Sequence, residues 1–290
     1  VASGREVVGT SGFAAGSGVA MERLTPLSAA FLQAEDEDPT AAMAIASCAI
    51  FEGPAPSQED FVAHIAGRLP LVPRFRQKVR TVPLDLGAPV WVDDADIDLT
   101  WHIRRTAIPS PGGPDELHRL IGRVMSQRMD RQRPLWEYWI VEGLAGGRFA
   151  LLQKVHHSVV DGVSGTELYH VVFDATPDRR PPVPDTWVPA PEPSTIVLIA
   201  DSIKEIVTTP VATARQAVSV LTAPRTLARR AVTTARGAWA LTMSALPVSS
   251  SSLTGEMGVH RRYTSVSVAF GEIGAIRAAV GGTVNGGALG

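Results

Sequence analysis

Two apolar runs, Trp136 to Val141 and Arg148 to Val155, flank the glycine-rich segment Gly143-Leu144-Ala145-Gly146-Gly147. Glycines accept positive φ at little steric cost, so the stretch predicts an antiparallel hairpin of two buried strands. A hairpin of this kind must be covered on its faces, and the surrounding sequence supplies the helices. Ser57 suits the N-cap of a helix running to about Leu69, with Phe61, Val62, Ile65 and Leu69 on its apolar side. Asp115 to Arg128 carries Leu117, Leu120, Ile121 and Val124 at helical spacing. A short helix is expected over Leu27 to Leu32, then a polar turn from Asp36 to Thr40. Strands are expected at Ala42 to Phe51, closed by Glu52-Gly53-Pro54, and at Lys78 to Val82 and Val90 to Val92. Further on, Ser164 to Phe173 reads as a helix, Arg262 to Phe270 as an alternating strand and Gly271 to Val280 as a helix. Helices and strands mix throughout, which predicts an α/β or layered α+β fold with a mixed sheet flanked by helices.

Composition divides the chain. Residues 1–20 are rich in Gly, Ala and Ser and read as a disordered or spurious leader, with Met21 as the start. Residues 21–175 carry the strands and form an N-terminal domain. Seven prolines between Pro177 and Pro193 mark residues 176–194 as an extended linker. Residues 195–250 are a helical crossover segment in which Lys204, Arg215, Arg225, Arg229, Arg230 and Arg236 outnumber the acids, and 251–290 open a further region. That basic, amphipathic stretch fits either crossover helices packed on the domain or docking on an anionic membrane or lipid-droplet surface. The formal net charge of −2 argues against a nucleic-acid partner. Cys48 is the one cysteine, so an internal disulfide and a Cys-based zinc site are excluded. No run approaches the ~18–20 apolar residues that span a bilayer, which fits a cytoplasmic protein, soluble or peripheral on a membrane.

Chemistry concentrates at Lys154-Val155-His156-His157-Ser158-Val159-Val160-Asp161-Gly162. Along a strand His156 and His157 point to opposite sides unless the chain turns there. One imidazole can then face a reaction channel and take a proton from a hydroxyl. Asp161 either orients that base or pairs with an arginine to hold the loop, while Gly162 permits a tight bend. His102, His118, His170 and His260 are read as structural. A metal centre is disfavoured, because neighbours on a strand do not converge on one ion and no His-x-x-x-His spacing is present. A serine hydrolase is disfavoured too, since no Gly-x-Ser-x-Gly elbow occurs.

The His156-to-Gly162 run resembles the His-His-x-x-x-Asp-Gly signature of the acyl-CoA-dependent acyltransferase superfamily. Arg133-Pro134-Leu135-Trp136-Glu137 resembles the Pro-Leu-Trp block of one branch, the bacterial wax ester synthase/diacylglycerol acyltransferases. Leu24-Thr25-Pro26-Leu27-Ser28, Val72-Pro73-Arg74-Phe75-Arg76, Leu253-Thr254-Gly255 and His260-Arg261-Arg262 agree with that branch in order. The resemblance implies the first half of a two-half chloramphenicol-acetyltransferase-like fold. It implies acyl-CoA as cosubstrate, with no bound cofactor, and diacylglycerol or a long-chain alcohol as acceptor. It also implies His157 as general base, with His156 and Asp161 beside it as catalytic-motif residues. Gly162, Pro134, Leu135 and Trp136 are expected to be structural. After Gly282-Thr283-Val284-Asn285 the family pattern continues differently from Gly286-Gly287-Ala288-Leu289-Gly290, so a chain shortened in its second half is expected. That leaves two alternatives beside the acyltransferase: a catalytically inactive lipid-binding remnant, and a condensation-type enzyme acting on carrier-protein thioesters.

Overall fold

A computed structural model of the chain describes residues 21–160, 172–174, 176, 180–221, 258–266, 269, 271–272 and 274–275, with backbone only over 209–221. Thr25 opens helix α1 (Pro26–Glu37), its hydroxyl accepting from the Ser28 N–H at 3.1 Å. Strand β1 (Ala44–Phe51) follows, then helix α2 (Gln58–Ala66), capped as expected by Ser57, which accepts from the Asp60 N–H at 3.0 Å. Two 3-10 turns, Leu69–Leu71 and Pro73–Arg76, lead into β2 (Gln77–Arg80), which pairs antiparallel with β3 (Val90–Asp93) as a small separate sheet. One-turn helix α3 (Leu99–His102), strand β4 (Ile103–Ala107) and helix α4 (Pro114–Met125) come next. The predicted hairpin is present as β5 (Trp136–Leu144) and β6 (Arg148–His156), with Gly146 and Gly147 at φ +79° and +69° in the turn. Helix α5 (His157–Val160) continues directly from β6, and α6 (Thr195–Leu221) completes the elements.

The main sheet runs β1-β6-β5-β4. Antiparallel pairing joins β1 to β6 and β6 to β5, and β4 adds parallel to β5, so the sheet is mixed as expected. Side chains alternate across β5 and β6 and build two cores. On one face Trp136, Tyr138, Ile140, Leu151 and Val155 pack with Leu32, Phe61, Ile65 and Phe75. On the other, Val141, Ala150 and Leu152 meet Leu117, Leu120, Ile121 and Val124 of α4. Each such fully buried side chain contributes about 1.5–3 kcal/mol of hydrophobic free energy. Lys154 lies on the α4 side, buried, with its ammonium donating to the Val124 and Gln127 carbonyls at the helix C-terminus. Burial lowers its pKa from the usual lysine value.

Several expectations are corrected. Helix α1 extends through Asp36 to Glu37, so the polar turn begins only at Asp38. Residues 67–69 leave α2 for a 3-10 turn, because the Pro70 ring cannot sit within a continuing helix. Strand β4, with the single turn of α3 before it, was not anticipated. Its Ile103-Arg104-Arg105-Thr106-Ala107 stretch carries two arginines at an edge where only one side needs a partner. Residues 262–266 form no strand. Their segment is laid against α4, where Gly122 lets the Arg261 backbone approach and the Arg261 N–H donates to Ser126 Oγ at 2.7 Å. Alternation alone makes no strand without an edge to pair with. The described part of the proline-rich stretch, 180–194, is extended but strapped down. Asp185 takes a bidentate pair from Arg76 at 2.9 and 2.6 Å, Trp187 lies under the Arg76 guanidinium, and Ala190 N–H donates to Asp93. The expected helix at 164–173 and the Leu253-Thr254-Gly255 block fall almost wholly outside the described residues.

Trp136 anchors the first core. It is fully buried, stacked against Phe75 at 4.8 Å and His102 at 4.3 Å, and its indole N–H donates to the Phe75 carbonyl at 2.8 Å. Pro134 and Leu135 lead into it, Leu135 also buried. Trp136→Ala is expected to cost about 3–5 kcal/mol of unfolding free energy in urea titration. Trp136→Phe, which keeps most of the ring but orphans the carbonyl, should cost about 1–3 kcal/mol.

Candidate active site

The chain does turn between the two histidines: β6 ends at His156 and α5 starts at His157. His156 is 1% exposed. Its Nδ1 accepts from the Ser158 N–H at 3.1 Å and lies 2.7 Å from Ser158 Oγ. Its Nε2 faces Glu35 Oε1 of α1 at 3.4 Å. His157 is half-buried. Its backbone N–H donates to the Met43 carbonyl at 2.9 Å, and its ring stacks on Phe31 of α1 with centroids 4.6 Å apart. Ser28 Oγ donates to the Ser158 carbonyl at 3.1 Å and so ties α1 to α5. One imidazole is therefore enclosed and the other reaches solvent from a fixed backbone.

Two carboxylate and guanidinium groups lie behind the pair. Glu35 Oε1 accepts from the Met43 N–H at 2.7 Å, and Oε2 accepts from Arg131 Nη2 at 3.1 Å. Arg131 also donates to the Leu32 carbonyl at 2.8 Å and holds Asp36. Burial alone would raise the Glu35 pKa, but contact with His156, the Met43 N–H and Arg131 together hold it at about 2. Burial, and then the neighbouring His156, lowers the His157 pKa from the usual histidine value, so the ring is neutral at pH 7. A half-exposed neutral imidazole can accept a proton from a hydroxyl brought against it.

Of the residues singled out in the sequence, the structure brings together His156 and His157 at the end of β6. Trp136 and Leu135 lie at the adjacent start of β5, where the Leu135 carbonyl accepts from the His156 N–H at 3.0 Å. Asp161 and Gly162 lie outside the described residues. Among the described residues no group of three or more His, Cys, Asp or Glu is arranged to hold a metal. Glu35, Arg131, Met43, Phe31 and Ser158 were missed. Glu35 had a signal: Ser28, Leu32 and Glu35 are the buried positions of α1, at i, i+4 and i+7, and a carboxylate on that stripe is out of pattern. His102 and His118 take structural places, His102 against Trp136 and His118 within 3.0 Å of Ser265 Oγ.

An apolar cleft of about 660 Å³ lies at the other end of the sheet, between Phe51, Phe149 and Leu151 on the strands and Phe61 and His64 on α2. Ala44 pairs with His156 and Phe51 with Phe149, so seven strand residues, roughly 20 Å, separate the cleft from the histidines.

Comparison with known proteins places these features in a wider group. The family model described as the wax ester synthase/diacylglycerol acyltransferase catalytic domain matches residues 24–287. A Mycobacterium tuberculosis protein named a probable diacylglycerol O-acyltransferase, tgs1, is 38% identical over 259 residues, covering 87% of this chain and 52% of that protein. Another from the same organism, tgs3, with the same description, is 37% identical over 226 residues, covering 77% of this chain and 83% of its own. The solved wax ester synthase/diacylglycerol acyltransferase from Marinobacter aquaeolei VT8 is 28% identical with a TM-score of 0.55, covering 91% of this chain and 57% of that one. The chain thus spans about half the length of tgs1 and of the Marinobacter protein.

The Glu35 environment predicts an acid-labile site. Its folded pKa of about 2 lies below the ordinary value of 4.5, so its stabilisation is complete above pH 4.5 and is lost as pH falls toward 2. Urea unfolding of the unaltered chain and of Glu35→Gln should differ by on the order of 3 kcal/mol at neutral pH. That gap should close between about pH 4.5 and 2.

Proposed function

We propose, for a chain that belongs to the wax ester synthase/diacylglycerol acyltransferase family, that it transfers an acyl group from acyl-CoA to a lipid hydroxyl with His157 as general base. The observation that carries this reading is the contrast between the two imidazoles. His156 is enclosed, its Nδ1 hydrogen-bonded to Ser158 and its Nε2 buried beside Glu35, whereas His157 is neutral, partly exposed and held by its own backbone.

In the proposed step the His157 imidazole removes the proton from the acceptor hydroxyl as that oxygen attacks the thioester carbonyl carbon. The new C–O bond forms, the C–S bond breaks, and the departing thiolate of CoA takes the proton back from the imidazolium. No acyl group rests on the protein. The acceptor is diacylglycerol, giving triacylglycerol, or a long-chain alcohol, giving a wax ester. Diacylglycerol is favoured by the descriptions of tgs1 and tgs3. Asp161 and Gly162 complete the motif in this reading and shape the loop after α5.

A second reading, lipid binding without turnover, draws on the apolar cleft between α2 and the sheet, whose Phe51, Phe61, Phe149 and Leu151 suit an alkyl chain. Peripheral attachment to a membrane or lipid droplet is proposed as well. Helix α6 packs Leu198 and Ser202 inward and pairs Asp201 and Glu205 with Arg23, while Ile203, Ile206 and Val207 stand outward. Among the described residues no helix is long and apolar enough to cross a membrane.

Purified protein given labelled long-chain acyl-CoA and diacylglycerol should form labelled triacylglycerol. His157→Ala should reduce that rate by about 10²–10⁴-fold, while His156→Ala should leave measurable turnover. Acyl-chain binding by folded protein with no ester formed would favour the second reading. Because the lowered pKa keeps the base neutral into mildly acidic solution, kcat/KM should rise with pH through a midpoint below 6.5 and then level off. Sedimentation with anionic liposomes should weaken when Arg225, Arg229 and Arg230 are changed to Glu, and unchanged binding would overturn the membrane reading.

A further inference from the structure

Glu35 stands where the proposed chemistry asks for no carboxylate. It lies behind His156, away from the exposed ring of His157, and its side chain is 3% exposed. Burying a carboxylate is costly unless its partners are specific, and here each partner is a support of the histidine pair. A ring nitrogen that accepts an N–H bond carries no proton. Ser158 N–H donates to His156 Nδ1, so the proton of that ring sits on Nε2, which makes no hydrogen bond among the described residues but lies 3.4 Å from the charged Glu35 Oε1. The same oxygen accepts from the Met43 N–H at 2.7 Å, and the Met43 carbonyl in turn accepts the His157 N–H at 2.9 Å. The other oxygen is held by Arg131, whose remaining contacts are Asp36 and the Leu32 carbonyl of α1. The titratable and charged groups about the carboxylate are thus His156 at the end of β6, Arg131 from the loop before β5 and Asp36 on its own helix, with Lys154 of β6 near enough to feel its charge.

We infer that Glu35 is a positioning residue for both histidines. Its charge beside Nε2 acts with the Ser158 N–H to favour the Nε2–H tautomer of His156 and, through Met43, it fixes the backbone on which His157 is presented. Two routes leave one carboxylate: a side-chain route to the first imidazole and a main-chain route to the second. Glutamine at this position keeps an acceptor for Met43 but removes the charge beside Nε2, leaving the Ser158 N–H alone to select the His156 tautomer. The inference rests on the reading of His157 as base for its kinetic half, and on the structure alone for its tautomer half.

The test uses the full chain with ¹⁵N-labelled histidine, comparing the unaltered protein with Glu35→Gln and Glu35→Asp. In the unaltered protein the His156 nitrogens should report an unprotonated Nδ1 and a protonated Nε2. Glu35→Gln should convert this to a tautomer mixture while the His64 and His118 signals hold their places. It should also lower kcat about 10–100-fold with KM for acyl-CoA little changed, and displace the pH midpoint of kcat/KM. Glu35→Asp, which keeps the charge, should recover the tautomer and part of kcat. If Glu35→Gln does not fold, Glu35→Asp decides: its shorter reach must loosen either His156 or Met43, so a kcat and pH profile identical to those of the unaltered chain would overturn the inference. A native tautomer pattern and pH profile in Glu35→Gln, with only thermal stability reduced, would overturn the inference. An unaltered chain that turns over no substrate would instead defeat the base reading, and the tautomer signals would still decide the role of Glu35.

Discussion

Strand β6 is hydrogen-bonded along both edges, to β1 from Ala44 to Phe51 and to β5 from Trp136 to Leu144. A strand held on both sides cannot slip by one residue, because that slip would exchange its two faces and turn Leu151 and Val155 away from the core they fill. The end of β6 is therefore a fixed point, and the two histidines stand on it. Lys154 reinforces the register by reaching from the same strand to the C-terminal carbonyls of α4.

Around that fixed end the protein places polar groups in otherwise apolar surroundings. Glu35 pairs with Arg131 on one oxygen and faces His156 with the other, and each group would be costly to bury alone. Such a cluster contributes less to net stability than an apolar one of equal volume would. What it confers is a single arrangement: α1 is tied to β6 through Glu35 and His156, and to α5 through Ser28 and Ser158. The same elements bring Phe31 over the His157 ring, which limits the orientations available to the exposed imidazole.

The Pro-Leu-Trp block and the arginine-rich block near Val72 meet in the same structure. Phe75 stacks on Trp136, and Arg76 reaches outward to clasp Asp185 in the proline-rich strap. Three segments spread over more than a hundred residues thus meet at one short 3-10 turn whose aromatic residue faces the core and whose arginine faces the strap. Phe75, Arg76 and Trp136 hold distant parts of the chain together.

From the sequence alone came the mixed α/β class, the β5–β6 hairpin, the Ser57 cap of α2, the apolar face of α4 and the pair of histidines at the end of a strand. These are local properties, carried by turn glycines, capping hydroxyls and side-chain periodicity. The sequence misjudged the extent of α1, missed β4 and expected a strand beyond Arg262, because those outcomes depend on which sheet edge or helix lies alongside. Which histidine is enclosed was not legible either, since it depends on the chain turning between them. Nor was the part played by Glu35, more than a hundred residues earlier, which takes meaning only when α1 packs against the end of β6. A carboxylate on a helix is unremarkable in sequence; burial beside an imidazole and an arginine is a fact of tertiary structure, and it is there that its charge is given partners.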